Sequence, residues 1–346
     1  PGVPTVNTGS YASGEWADED VTITVSGVTA DSGIAKYQYS TDNGASWQDM
    51  TASETTEATT TTPPSVDEAQ LIINASTTAD GTTYLFRAVS NSGMEGTASS
   101  DVVVKIDKTQ PAIAVSGNTV DYLTSDTVTI TPQVGVSGIA SVTVSKDDGE
   151  AVDITESYQN GYEVTENSTY VFTVTNGAGV TATGNITYTN IDTATPVVVI
   201  DSNGYTDGAW TNSDVTLEVS NSTANLGDTK VEYKVDGGEW QTYTAPIVIS
   251  ADTDADGVTY TFKATSASGV GSEEASITVK LDKIAPNGDI TIEENSVKAF
   301  INTVTFGLFF NENVDVAITG TDDLSGAASI RYYCSEAILT EAQVAD

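Results

Sequence analysis

The sequence predicts an all-β chain of tandem β-sandwich domains arranged end to end, the last incomplete. Three observations carry this reading. Prolines recur at Pro111, Pro196 and Pro286 behind similar segments: Ile106-Asp107-Lys108-Thr109-Gln110, Ile191-Asp192-Thr193-Ala194-Thr195 and Leu281-Asp282-Lys283-Ile284-Ala285. Tyr84, Tyr170 and Tyr260 precede the next proline by 27, 26 and 26 residues, and so hold equivalent positions. Between these anchors run short alternating stretches rich in Val, Thr and Tyr, parted by Gly, Asn, Asp and Ser turns, as sandwich strands are. A period of about 90 residues in a chain of 346 sets the number of units near four.

Pro4 opens the first unit, residues 1–107. Near its start an aromatic stands four residues ahead of an Asp and a β-branched strand, Trp16 before Asp20-Val21-Thr22-Ile23. The second unit (108–192) repeats this with Tyr122 and Asp126-Thr127-Val128-Thr129, the third (193–282) with Trp210 and Asp214-Val215-Thr216-Leu217. Units one and three then carry hairpins ending in Trp47 and Trp240, whose Asn43-Gly44 and Gly237-Gly238 supply the positive φ of a tight turn. The tyrosines open the next strands, Tyr84-Leu85-Phe86-Arg87-Ala88, Tyr170-Val171-Phe172-Thr173-Val174 and Tyr260-Thr261-Phe262-Lys263-Ala264, with the hydroxyl at a corner and the ring in the core.

Unit one exceeds unit three by 17 residues between prolines, and the same 17 separate the two Trp-to-Tyr spacings, so one insertion explains the difference. It falls in 51–70, a Thr-dominated stretch with Pro63-Pro64, and is expected to be a solvated excursion outside the core. The fourth unit, 283–346, is partial. It offers a short apolar strand at 306–310, Cys334 as a buried strand residue, and a helical turn or two at 336–344.

With 49 acidic against 12 basic residues and a net charge of −37, no nucleic-acid partner is expected, because phosphate neutralisation needs Lys and Arg. No apolar run reaches the length of a membrane span. A single cysteine allows no intrachain disulfide, which leaves the hydrophobic cores to hold the domains. The absence of histidine removes Ser-His-Asp and Cys-His hydrolysis and His-ligated zinc, and no glycine-rich phosphate loop follows a strand. Paired carboxylates are too numerous for any pair to stand out.

The blocks Tyr39-Ser40-Thr41-Asp42-Asn43-Gly44-Ala45-Ser46-Trp47, Ile106-Asp107-Lys108-Thr109-Gln110-Pro111 and Leu281-Asp282-Lys283-Ile284-Ala285-Pro286 resemble the tandem bacterial Ig-like repeats of large surface proteins and adhesins. The fourth unit, with its apolar 300–310 segment and Asp322-Asp323-Leu324-Ser325-Gly326, is similar to repeats of Gram-positive, clostridia-like surface proteins. This resemblance implies a non-catalytic, extracellular stalk or adhesion segment at the bacterial cell surface. It would form part of a longer chain and act as a monomeric rod toward a host or cell-surface protein or glycan. The alternative is an accessory, glycan-contacting module array of an extracellular carbohydrate-active enzyme, which would place Trp16, Trp47, Trp210 and Trp240 side by side on sheet faces. Their recurrence at matched positions favours packing.

Calcium is the one cofactor the pattern admits. Asp107, Asp192 and Asp282 recur four residues ahead of the prolines, where a junction could join them to loop carboxylates such as Asp31 or Asp323. Against this, no EF-hand spacing occurs, and unit two has Val136-Ser137-Gly138 where unit one has Asp31-Ser32-Gly33. The recurring Asp fits equally a turn residue that hydrogen-bonds its own backbone.

Overall fold

The computed structural model describes residues 1–222, 226–293 and 315–332. The strand expected at 306–310, Cys334 and the helical turns expected at 336–344 lie outside them. The chain divides into two compact units, Pro1–Ile191 and Asp192–Asp346.

In the first unit the strands are β1 (Thr5–Asn7), β2 (Trp16–Ala17), β3 (Val21–Ser26), β4 (Ile34–Ser40), β5 (Gln48–Asp49), β6 (Thr51–Thr56), β7 (Ser65–Ile73), β8 (Thr82–Ser90) and β9 (Val102–Ile106). They form two sheets, ordered β1-β3-β7-β6 and β2-β9-β8-β4-β5. This is the A-B-E-D and A′-G-F-C-C′ arrangement of an immunoglobulin-type sandwich. Alternation builds the core: Val21, Ile23 and Val25 of β3 point inward against Tyr37, Phe86, Val104 and Ile106 of the facing sheet. Each such fully buried side chain contributes about 1.5–3 kcal/mol, in a chain with no disulfide to help.

A second sandwich follows, with β10 (Ala112–Ser116), β11 (Asp126–Gln133), β12 (Ile139–Lys146), β13 (Val152–Asp153), β14 (Tyr162–Val164), β15 (Ser168–Asn176) and β16 (Thr181–Tyr188). Its sheets run β10-β11-β14 and β13-β12-β15-β16. Along β15 every second residue, from Ser168 through Tyr170, Phe172 and Val174 to Asn176, is buried. A β-bulge opens β4 between Ile34 and Lys36, and another opens β12 between Ile139 and Ser141. The bulge recurs because a left-handed glycine, Gly33 or Gly138, turns the chain just ahead of it.

The second unit contains β17 (Val197–Asp201), β18 (Trp210–Thr211), β19 (Val215–Ser222), β20 (Lys230–Val235), β21 (Gln241–Thr242), β22 (Ile247–Ile249), β23 (Val258–Thr265) and β24 (Ala275–Leu281). Sheets β17-β19-β22 and β18-β24-β23-β20-β21 enclose Leu217, Phe262, Val279 and Leu281. Beyond Pro286, β25 (Asn287–Glu293) and β26 (Asp315–Thr321) pair antiparallel along their whole length.

One expectation fails. The 51–70 segment is not a solvated excursion but most of a hairpin that completes the first sheet. Residues 65–73 form β7, which lies between β3 and β6, with Ala69 fully buried and Val66 and Leu71 packed on the core. Low overall hydrophobicity concealed a strand because only alternate residues need be apolar when one sheet face is wet. Residues 51–62, β6 and the loop that follows it, are exposed at every position and behave as expected of the Thr-rich stretch. The strand β6 lengthens the sheet as an edge strand whose pairing with β7 is broken by two register shifts and carries Glu54, devices that discourage further pairing.

Candidate functional site: the aspartate linkers

Three features of the linker sequence Asp-Xaa-Xaa-Xaa-Pro act together. The Asp follows the last strand of a sandwich and is buried: Asp107 is 0 % exposed, Asp192 3 % and Asp282 6 %. Burying a carboxylate is tolerable only if its lone pairs are filled, and they are filled the same way each time. One oxygen accepts the backbone N–H two residues ahead, from Thr109 at 3.0 Å, Ala194 at 3.1 Å and Ile284 at 2.9 Å. The other accepts an N–H from a loop 30 to 43 residues further on: Ser137 at 2.9 Å, Leu226 at 3.0 Å and Ser325 at 3.1 Å. The Ser137 hydroxyl adds a bond of 2.6 Å to Asp107.

Each loop donor directly precedes a glycine with left-handed φ, Gly138 at 73°, Gly227 at 70° and Gly326 at 79°, a turn that leaves the preceding N–H facing out. Gly135 completes the cradle in the second sandwich, since a Cβ there would lie 2.5 Å from Asp107 Oδ2. Burial alone would raise the Asp107 pKa, but the hydrogen bonds from Ser137 and Thr109 outweigh it and hold the carboxyl at about 2. Asp282 is likewise lowered, chiefly by Ser325.

While the Asp side chain reaches forward, the residue after it reaches back in two of the three linkers. Lys108 pairs with Asp20, and Lys283 with Asp214, the acid that opens the B strand of its own sandwich. The Asp107 N–H donates to Ala17 and the Asp282 N–H to Thr211, both at 2.9 Å. The linkers at 107 and 282 are therefore pinned on both sides. Where Thr193 replaces the lysine, Asp126 accepts hydrogen bonds from the Tyr188 hydroxyl and the Asn118 N–H.

Of the sequence candidates for a cation site, Asp107, Asp192 and Asp282 are thus committed to N–H and O–H donors. Asp31 and Asp323 are exposed on their loops. Among the described residues no group of three or more His, Cys, Asp or Glu side chains converges in a way that could hold a metal ion. Sequence reasoning found the aspartates but missed their mates. The signal was the Ser-Gly or Leu-Gly pair that recurs at 32, 137, 226 and 325.

The four tryptophans are half-buried, and each has a cation over its ring. Arg87 lies 4.3 Å from the Trp47 centroid, Lys263 and Lys234 lie 4.1 and 4.5 Å from Trp240, and Lys105 and Lys280 each lie 5.7 Å from Trp16 and Trp210. Five of the chain's 12 basic residues are spent in this way, so the pairing is a property of the sandwiches and not of stray charges. No Trp ring pairs with another aromatic ring among the described residues. Tyr122, the counterpart of Trp16 and Trp210, is 42 % exposed; Asn190 stands where Lys105 and Lys280 would cover it.

No protein-family model matches the chain, and no curated protein matches it. Among solved structures, it is similar to the FN1-FN3 domains of chicken CNTN1, at 14 % identity over 81 % of this chain and 99 % of that one, with a TM-score of 0.27. It is also similar to the three N-terminal domains of the bacteriophage RB49 highly immunogenic outer capsid protein, at 11 % identity, 82 % and 99 % coverage and a TM-score of 0.32. The N-terminal four Ig domains of Dscam1 isoform 4.4 give 14 %, 78 %, 71 % and 0.26. The immunoglobulin-type assignment rests on the strand order of each sandwich.

Proposed function

We propose that this chain is a non-catalytic spacer or adhesion segment of a bacterial surface protein, in which aspartate clasps tie each linker to a loop of the repeat that follows it. The recurrence of the same clasp at Asp107, Asp192 and Asp282 is the observation that carries the reading. A linker that served only to connect would not need a buried carboxylate with its lone pairs filled by donors from two directions. The acidic surface suits an exposed, soluble array, and any receptor contact belongs to loops that differ between repeats, such as the tip joining β6 to β7. The glycan-platform alternative gains nothing from tryptophans that stand apart under cations.

In this reading N–H donors give the joints the stiffness that a bound calcium ion would otherwise supply. Small-angle scattering of the full chain tests it. Asp107→Ala combined with Asp282→Ala should broaden the distance distribution while far-ultraviolet circular dichroism stays unchanged. Chelator and added calcium should leave wild-type scattering and Tm unaltered. Identical scattering from variant and wild type would refute the clasp, and a calcium-dependent change would return the joints to a metal.

A further inference from the structure

The first sandwich carries the same receiving loop as the others. Residues 30–33 close with Gly33 N–H on Ala30 O at 2.8 Å, as 135–138 close with Gly138 N–H on Gly135 O at 3.2 Å. Gly33 has φ 75°, and its carbonyl accepts Asn91 N–H at 3.0 Å as Gly138 accepts Gly177. Asn91 Nδ2 further ties Ser32 O at 2.6 Å. The loop frame is complete, yet among the described residues the Ser32 N–H has no acceptor. Its hydroxyl meets Gly33 O and Ser92 Oγ only at 3.5 Å, too far for a good bond, where the Ser137 hydroxyl bonds Asp107 at 2.6 Å. Beside it lies an open cavity of about 440 Å³, bordered by Pro1, Ser32, Ser90 and Ser92.

Resting on the clasp reading, we propose that loop 30–33 is a receiving site for an aspartate carboxylate presented four residues ahead of Pro4. That is the group the other three loops take from Asp107, Asp192 and Asp282, each four residues ahead of its proline. The register puts the carboxylate on a residue joined directly to Pro1, which already borders the cavity. Two acids face the site. Glu95 is neutralised by Arg87 at 2.7 Å, and Asp31 stands where the second and fourth loops have Val136 and Leu324. Asp31 therefore weakens this clasp relative to the others and makes it the most salt-sensitive.

Amide hydrogen exchange on the full chain tests the proposal, with an isoleucyl-aspartyl dipeptide ahead of Pro1 compared with an isoleucyl-alanyl dipeptide. The aspartyl chain should slow Ser32 N–H exchange about tenfold, and Asp107→Ala in the same background should speed Ser137 by a similar factor. Equal Ser32 exchange in both extended chains, with Ser137 still sensitive to Asp107, would overturn the receiving site alone. Insensitivity of Ser137 as well would overturn the clasp beneath it. Ser32 protection that appears only with added calcium would also overturn the proposal, since the carboxylate would then be bridging to Asp31 through the cation.

Discussion

At the scale of single residues, the repeats solve the same local problem with different side chains. Tyr11 and Tyr205 each place a hydroxyl within reach of the last strand, accepting the N–H of Lys105 and Lys280 at 2.9 Å. The second sandwich has Gly117 at that position and a large Tyr188 on β16 where the others have Val103 and Thr278. A Cβ on Gly117 would collide with the Tyr188 hydroxyl, so the ring has moved from the loop after the first strand to the last strand and the glycine makes room. Gly135 is constrained in a similar way, by the Asp107 carboxylate. Gly135→Ala should push the carboxylate off Ser137, leave buried polar groups unmade and cost about 1–3 kcal/mol. Urea unfolding followed together with Ser137 amide exchange checks this. An unchanged midpoint with Ser137 still protected would show that the loop accommodates a methyl group.

At the scale of elements, the sequence made some strands plain and hid others for definable reasons. Fixed-register tyrosines marked β8, β15 and β23 because a strand start needs both an inward ring and a turn before it. Tyr84 and Tyr170 are indeed buried, at 8 % and 4 %. The strand β7 was hidden, because Ser65-Val66-Asp67-Glu68-Ala69-Gln70 is mostly polar and the inward alternation of Ala69, Leu71 and Ile73 begins only near its end. The linker aspartates were visible as a recurrence, but their role was not, since a hydrogen bond to an N–H some 30 residues away leaves no composition signal. The β6–β7 hairpin should therefore divide sharply in its tolerance of change. Replacing 57–62 by an Asn-Gly turn should shift stability by no more than about 0.5 kcal/mol, because those residues are exposed. Ala69→Asp should cost about 3 kcal/mol or more, placing an unpaired charge where no side-chain surface is exposed. Denaturant midpoints of the two variants make the comparison. Equal midpoints would mean that β7 is not part of the core.

At the scale of the whole molecule, a net charge of −37 and buried carboxylates at the linkers pull stability in opposite directions as pH falls. Protonation of surface acids relieves self-repulsion and favours the compact state, whereas protonation of a clasped acid removes its hydrogen-bond acceptors. The two effects separate in a difference measurement. The folded Asp107 carboxyl sits at about 2, below the ordinary value of 3.8. A group lowered by folding contributes its stabilisation in full above the unfolded value and loses it as pH drops through the folded one. The Tm of the wild type should therefore exceed that of Asp107→Ala by a constant margin above about pH 5, and the margin should shrink between about pH 4 and 2. Self-repulsion is nearly the same in both chains and cancels. Added salt raises both melting temperatures by screening the surface, but leaves the margin intact because the clasp is shielded from solvent. A margin that stays constant down to pH 2 would show that the carboxylate charge does not matter to the joint. One that disappears in moderate salt would place the aspartate on the surface, where it could not tie the linker to the loop that follows it.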